Sequence, residues 1–134
     1  MIIQYSVWVV DDEESIRDSL ELTLSEVYDI RVFEDAESFL SAMEKEQPDI
    51  LLLDIGLPGI NGIQALGLVK DDLPDIPVIM ITAFEDINMV IESMKLGAFD
   101  FVLKPINLDI LELTIKKAIA TIALRKEVKI LQEK

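Results

Sequence analysis

Neither cysteine nor histidine occurs among the 134 residues. Their absence excludes structural disulfides, thiolate catalysis, His-based triads and thiolate or imidazole metal sites, so any bound metal must be held by oxygen. Long apolar runs are missing too: the longest is four residues, against the roughly 18 that a membrane-spanning helix needs. The first residues carry no basic region or cleavage site, so the expected location is the cytoplasm, with no membrane partner. Glycine and proline number five each and are scattered, which leaves no flexible linker, internal repeat or low-complexity tract.

What is present is a domain-sized chain, 51% apolar and 28% charged, sufficient for one compact core. Its charge is uneven. Residues 1–103 carry 22 acids and 5 bases, a net of −17, whereas residues 104–134 carry 4 acids and 7 bases, a net of +3. So acidic a body repels phosphate backbones, and direct nucleic-acid binding by this segment is not expected. Acidity suits a divalent-cation site, although solubility alone accounts for many surface acids.

Three four-residue apolar runs, 7–10, 50–53 and 78–81, are continuous rather than alternating and rich in Val, Ile and Leu. Such runs are strands buried on both faces, as in a parallel sheet. Residues 30–33 and 101–103 are weaker strand candidates, suited to sheet edges. Helical periodicity fills the gaps. Ile16, Leu20, Leu24 and Val27 form the first stripe, after an acidic first turn. Residues 36–45 pair Phe39 with Met43, residues 63–69 follow Asn61-Gly62, and residues 87–96 present Val90, Ile91 and Met94 before Gly97. A last helix starts near Leu108. Strand and helix thus alternate five times, which predicts an α/β fold: a doubly wound parallel sheet of order 2-1-3-4-5, with the three strong strands in the middle.

Parallel strands end on one side of the sheet, so the residues that follow them converge there. Asp11 and Asp12 follow the first strand, Asp54 the third, Thr82 the fourth and Lys104 the fifth. Ligands of open α/β sheets bind at this edge, where the strand order reverses. Each residue has an ordinary alternative: Asp11, Asp12 and Thr82 could cap helices, Asp54 could open a turn through Pro58-Gly59, and Lys104 could be a solvated loop charge. Their coincidence on one edge is what these alternatives leave unexplained. Crowded carboxylates need a counter-ion, and an all-oxygen site with open positions suits Mg²⁺ completed by water and phosphate oxygens. Beside such an ion a carboxylate can attack phosphorus, with an ammonium and a hydroxyl balancing charge on the phosphoryl oxygens. Asp54, ending the central strand, is the natural nucleophile.

VVDDEE at 9–14, DIGLPG at 54–59, ITA at 81–83 and FVLKP at 101–105, in this order and spacing, resemble the receiver domain of bacterial two-component response regulators, which share a flavodoxin-like fold. The resemblance covers residues of about 5–120. It implies that Asp54 is the phospho-acceptor and that Asp12 and Asp54 ligate Mg²⁺ by side chain. Asp11 would act largely through water, and the backbone carbonyl of Gly56 would complete the site. Lys104 would pair with the phosphoryl group, Thr82 would hydrogen-bond it, and small Ala83 would leave it accessible. Phe101 would be the aromatic that moves inward with Thr82, its ordinary alternative being an edge-strand core residue. Lys104-Pro105 resembles a bond that is commonly cis in this family. Gly56 and Phe84 fall at the variable positions that tune phosphoryl loss, and neither has a polar side chain to place a hydrolytic water, so slow self-hydrolysis is expected. With no histidine in the chain, the donor must come in trans, as a sensor histidine kinase.

KLGAFDFVLKP at 95–105, the long final helix and VWVVDD at 7–12 resemble receivers of nitrogen-regulation-type activators, in which a receiver precedes an ATPase that drives sigma-54 polymerase. The expected division is a receiver over 1–120 and a helical linker over 121–134. That linker leads to an absent output domain or serves as a dimerisation helix. Ile122, Leu124, Val128 and Leu131 prolong the helical pattern with no cap, and the last three make one heptad of a coiled-coil seam. An amphipathic helix packed on its own domain remains an alternative. The resemblance implies a homodimer whose arrangement responds to phosphorylation through the fourth helix, fifth strand and fifth helix. The ATPase and DNA-binding domains themselves are not in this sequence: no Gly-rich phosphate loop, helix-turn-helix or basic patch occurs. The alternatives are a free-standing single-domain regulator that acts by protein binding and a Mg²⁺-dependent phosphatase with an aspartyl intermediate. Gly56 disfavours the phosphatase, because such enzymes place a second acid there. A flavin site is disfavoured by three acids facing the cofactor phosphate.

Overall fold

The computed structural model describes residues 4–133. Five strands, β1 (Ser6–Val10), β2 (Asp29–Phe33), β3 (Ile50–Asp54), β4 (Val78–Thr82) and β5 (Asp100–Leu103), form one parallel sheet of order β2-β1-β3-β4-β5. Five helices, α1 (Glu14–Leu24), α2 (Ala36–Met43), α3 (Gly62–Asp72), α4 (Ile87–Lys95) and α5 (Leu108–Glu133), alternate with them, and a short 3₁₀ turn over Phe84–Asp86 precedes α4. This is the flavodoxin-like order that the sequence pattern predicts.

Every residue of β3 and β4 is buried, because helices cover both faces of the sheet's centre. β2 and β5 lie at the edges and are only partly covered, which explains their weaker apolar signal. One core layer packs Trp8, Val10, Leu51, Leu53 and Met80 against Phe39 of α2, Leu66 of α3 and Val90 of α4. The opposite layer packs Val7, Val9, Leu52 and Ile81 against Leu20 and Leu24 of α1 and Leu111, Ile115 and Ala118 of α5. Asn61 caps α3 through a reciprocal box, accepting from the Gln64 amide at 2.9 Å while Gln64 accepts the Asn61 amide at 3.0 Å.

Three details depart from the periodicity. Val27 does not continue the α1 stripe: the helix ends at Leu24, Val27 stands 61% exposed in the turn, and Tyr28 takes the buried place. On α4, Val90 and Ser93 are buried, while Ile91 and Met94 face outward. Lastly, α5 is unbroken across residue 120, with Leu111, Ile115 and Ala118 buried, Ile122 half-buried, and Leu124, Val128 and Leu131 exposed. Among the described residues no helix is long and apolar enough to cross a membrane.

Candidate functional site

The site forms at the carboxyl edge of β1, β3, β4 and β5. Backbone hydrogen bonds carry the strand pairing one residue past the ladders. Asp11 N–H donates to Phe33 O (3.1 Å), Ile55 N–H to Ile81 O (2.9 Å) and Lys104 N–H to Thr82 O (2.8 Å). The candidate side chains Asp11, Asp54, Thr82 and Lys104 therefore sit on sheet-held backbone, while Asp12 lies in the bend that follows β1.

Asp11, Asp12 and Asp54 each offer a carboxylate oxygen, and these oxygens lie within 4.8 Å of one another. Asp11 and Asp54 are buried and Asp12 is exposed. Lys104 reaches into the cluster from β5, its Nζ 3.1 Å from Asp11 Oδ2, 3.5 Å from Asp54 Oδ2 and 3.6 Å from Glu13 Oε1. The Nζ lies outside hydrogen-bonding angles to Asp11 Oδ2, which is buried with an ionic neighbour but no directed hydrogen bond. Asp54 Oδ1 accepts the Gly56 N–H at 3.1 Å. Thr82 is fully buried, its hydroxyl donating to Ala83 O at 3.1 Å. Ala83 is half-buried at the site's margin, and the Lys104–Pro105 bond is cis. Phe101 pairs with Met80 in the sheet register and lies half-buried against the α2–α4 core layer.

Burial pushes the Asp54 carboxyl up to about 6, helped by the Asp11 and Asp12 charges and opposed by the Gly56 N–H and Lys104. Burial also raises Asp11, and the Glu13 N–H and Lys104 recover only part of that. For Lys104, burial is the largest single influence and acts downward, yet Asp54, Asp11 and Glu13 together hold the ammonium above its ordinary value. Asp11, Asp12, Asp54 and the more exposed Glu13 are four carboxylates around one ammonium, which leaves the cluster strongly negative. An all-oxygen donor set with an unsatisfied buried oxygen fits a hard divalent cation such as Mg²⁺.

The structure adds residues that sequence reasoning missed. Glu13 joins Lys104 in the cluster, and its place right after Asp11-Asp12 in the acidic run was the available signal. Arg17, one turn into α1, donates to Asp11 O at 2.8 Å and fixes the loop between the first strand and helix. Gly62 lets α3 approach β3: a Cβ there would stand 2.3 Å from Asp54 O. Glu37 of α2 accepts the Ile60 N–H at 3.1 Å, a contact spanning 23 residues with no local sequence signature. Of the linker candidates, Ile122 packs against the α1/α5 core layer, and Leu124, Val128 and Leu131 are exposed.

The response regulator receiver domain model matches residues 7–116. The DNA-binding transcriptional regulator NtrC of Proteus hauseri is 41% identical over 115 residues, 85% of this chain and 24% of that protein. The nitrogen assimilation regulatory protein NtrX of Azorhizobium caulinodans is 33% identical over 132 residues, 96% of this chain and 29% of that one. The crystal structure of the receiver domain of NtrX from Brucella abortus superposes with a TM-score of 0.82 at 36% identity, covering 86% of this chain and 98% of that one. The chain spans about a quarter of the length of these curated relatives. Fold, motif order and sequence agree: this chain belongs to the response regulator receiver domain family, among the receivers of NtrC- and NtrX-type regulators.

Proposed function

We propose that the chain is a phosphorylation switch that accepts a phosphoryl group on Asp54 from a sensor histidine kinase. The observation that carries this reading is the charge balance of the site: Asp11, Asp12 and Asp54 crowd together, Lys104 is the one ammonium paired with this cluster and with Glu13 among the described residues, and Asp11 Oδ2 is buried without a hydrogen bond. Asp12 and Asp54 side chains, Asp11 largely through water, and the Gly56 carbonyl would hold Mg²⁺. When bound, the ion supplies the positive charge that lets phosphate oxygens approach three carboxylates.

The rest is the work of the chain's own groups. Above about pH 6 Asp54 is ionised in the metal-free protein and able to attack. One of its oxygens forms a bond to phosphorus as the bond from phosphorus to the donor nitrogen breaks. The electron pair leaves with that nitrogen, which then takes up a proton. Lys104, anchored beside Thr82, shifts from its carboxylate partners to the incoming phosphoryl oxygens, and the Thr82 hydroxyl exchanges Ala83 O for the same group. Phe101 follows Thr82 inward, coupling the site to the face made by α4, β5 and α5.

In this reading residues 1–120 are a regulatory domain and not a turnover enzyme, and residues 121–134 are a helical linker. The change from buried to exposed apolar residues along α5 supports that division. The domain works in the cytoplasm as a homodimer through Leu124, Val128 and Leu131, and phosphorylation alters that dimer to control an attached ATPase and DNA-binding output that activates transcription. A hydroxylamine test addresses the core of the proposal. After incubation with Mg²⁺ and a small phosphoryl donor, phosphate on wild-type protein should be released by hydroxylamine, as an acyl phosphate is, and Asp54→Asn should carry none. Phosphate that resists hydroxylamine, or that persists in Asp54→Asn, overturns the assignment.

A further inference from the structure

We propose that Glu37 is a positioning residue for the phospho-acceptor site, acting through the loop that links β3 to α3; the inference rests on the reading of Asp54 given above. Residues 55–61 of this loop carry Gly56, whose N–H orients the Asp54 carboxylate at 3.1 Å. The loop's stem is closed by Ile55 N–H to Ile81 O (2.9 Å) and Gly62 N–H to Ile55 O (3.0 Å). Its crest has no backbone partner from the sheet. There the Ile60 N–H donates to Glu37 Oε1 at 3.1 Å, the one side-chain hydrogen bond that reaches residues 57–60 from outside the loop among the described residues, while Asn61 beside it is held by Gln64 of α3.

Two further features fit a dedicated contact. Gly59 takes the left-handed backbone (φ +69°) that turns the Ile60 N–H toward α2, and a Cβ at Gly59 would come within 3.1 Å of Glu37 Oε1. The glycine thus supplies both the turn and the room for the carboxylate. Glu37 itself stands on a fixed base: Ala36 before it and Phe39 two residues after it are fully buried, and Asp35 caps α2 by accepting the Ser38 N–H at 2.8 Å. Only Leu57, Pro58 and Gly59 separate Gly56 from Ile60. Releasing the crest lets the loop pivot about Gly56 and Gly59, which loosens the N–H that aims Asp54 at its neighbours. A supporting contact of this kind changes site affinity without touching the ligand.

The test compares wild type, Glu37→Ala and Glu37→Gln in two measurements. The first is amide exchange in metal-free protein at Gly56, Ile60 and the buried amides of β3 and β4. The second is calorimetric titration with Mg²⁺ alone. Glu37→Ala should speed exchange at Gly56 and Ile60 selectively and weaken Mg²⁺ binding about two- to five-fold, the worth of one exposed hydrogen bond. Glu37→Gln, which keeps the acceptor oxygen, should restore both. Unchanged exchange and affinity in Glu37→Ala would overturn the proposal, and so would faster exchange spread evenly over the sheet, which marks a general stability effect. If wild-type protein binds no Mg²⁺, the metal reading fails, and selective exchange at Gly56 still decides for or against Glu37.

Discussion

Replacing Asp54 with asparagine should stabilise the metal-free protein. Asp54 is 4% exposed, shares its cluster with two other carboxylates, and has its carboxyl pushed up to about 6 from an ordinary value of 3.8. A shift of this size corresponds to a cost on the order of 3 kcal/mol for holding the ionised form in the fold. The folded state binds the proton more tightly than the unfolded chain. Between about pH 4 and pH 6 the native state retains a proton that the unfolded chain has lost, so stability falls as pH rises through that window and the full cost is present above it. Asparagine removes the charge and keeps an oxygen for the Gly56 N–H. The attraction to Lys104 that the substitution removes is already contained in the net shift. The net expectation is a gain of about 1–3 kcal/mol near pH 8 that shrinks toward zero near pH 4. Urea denaturation of both proteins in chelator at several pH values measures it, because the difference between them cancels the carboxylates outside the cluster and leaves Asp54 with its coupling to Asp11 and Asp12. An Asp54→Asn protein that is no more stable than wild type near pH 8, or a difference that does not depend on pH, would refute the electrostatic account.

Other perturbations probe the same site. Mg²⁺ at 100 times its dissociation constant should stabilise wild type by about 2.7 kcal/mol, and chelator should reverse this; Asp12→Asn should blunt the response in the same denaturation assay. Gly62→Ala should cost about 3 kcal/mol or more, since its Cβ would fall 2.3 Å from Asp54 O, and thermal unfolding would report the loss. Once formed, phosphoryl-Asp54 should decay slowly, because neither Gly56 nor exposed Phe84 brings a polar side chain to water; a half-life of seconds in purified protein would contradict this.

The sheet was legible because burial on both faces leaves an unbroken apolar run, and the partly covered β2 and β5 leave weaker ones. The site was legible for the same reason, since the residue after each buried run must lie at the sheet's carboxyl edge. Periodicity was less informative about which partner covers an apolar residue. Val27 keeps the α1 spacing, yet the helix has already ended, and Ile91 and Met94 keep the α4 spacing while facing outward. Contacts across the fold were invisible: Arg17 to the Asp11 carbonyl, Glu37 to Ile60, and the backbone approach at Gly62 follow from tertiary packing and not from local pattern.

The central claim is that Asp54 takes up one phosphoryl group in a Mg²⁺-dependent reaction, and intact mass tests it most directly. Wild type and Asp54→Asn are incubated with a small phosphoryl donor, each with Mg²⁺ and with chelator. A single phosphoryl adduct in wild type with Mg²⁺, absent from the other three samples, is the predicted result. No adduct in that sample under conditions that preserve acyl phosphates, or an equal adduct in Asp54→Asn, would contradict the account.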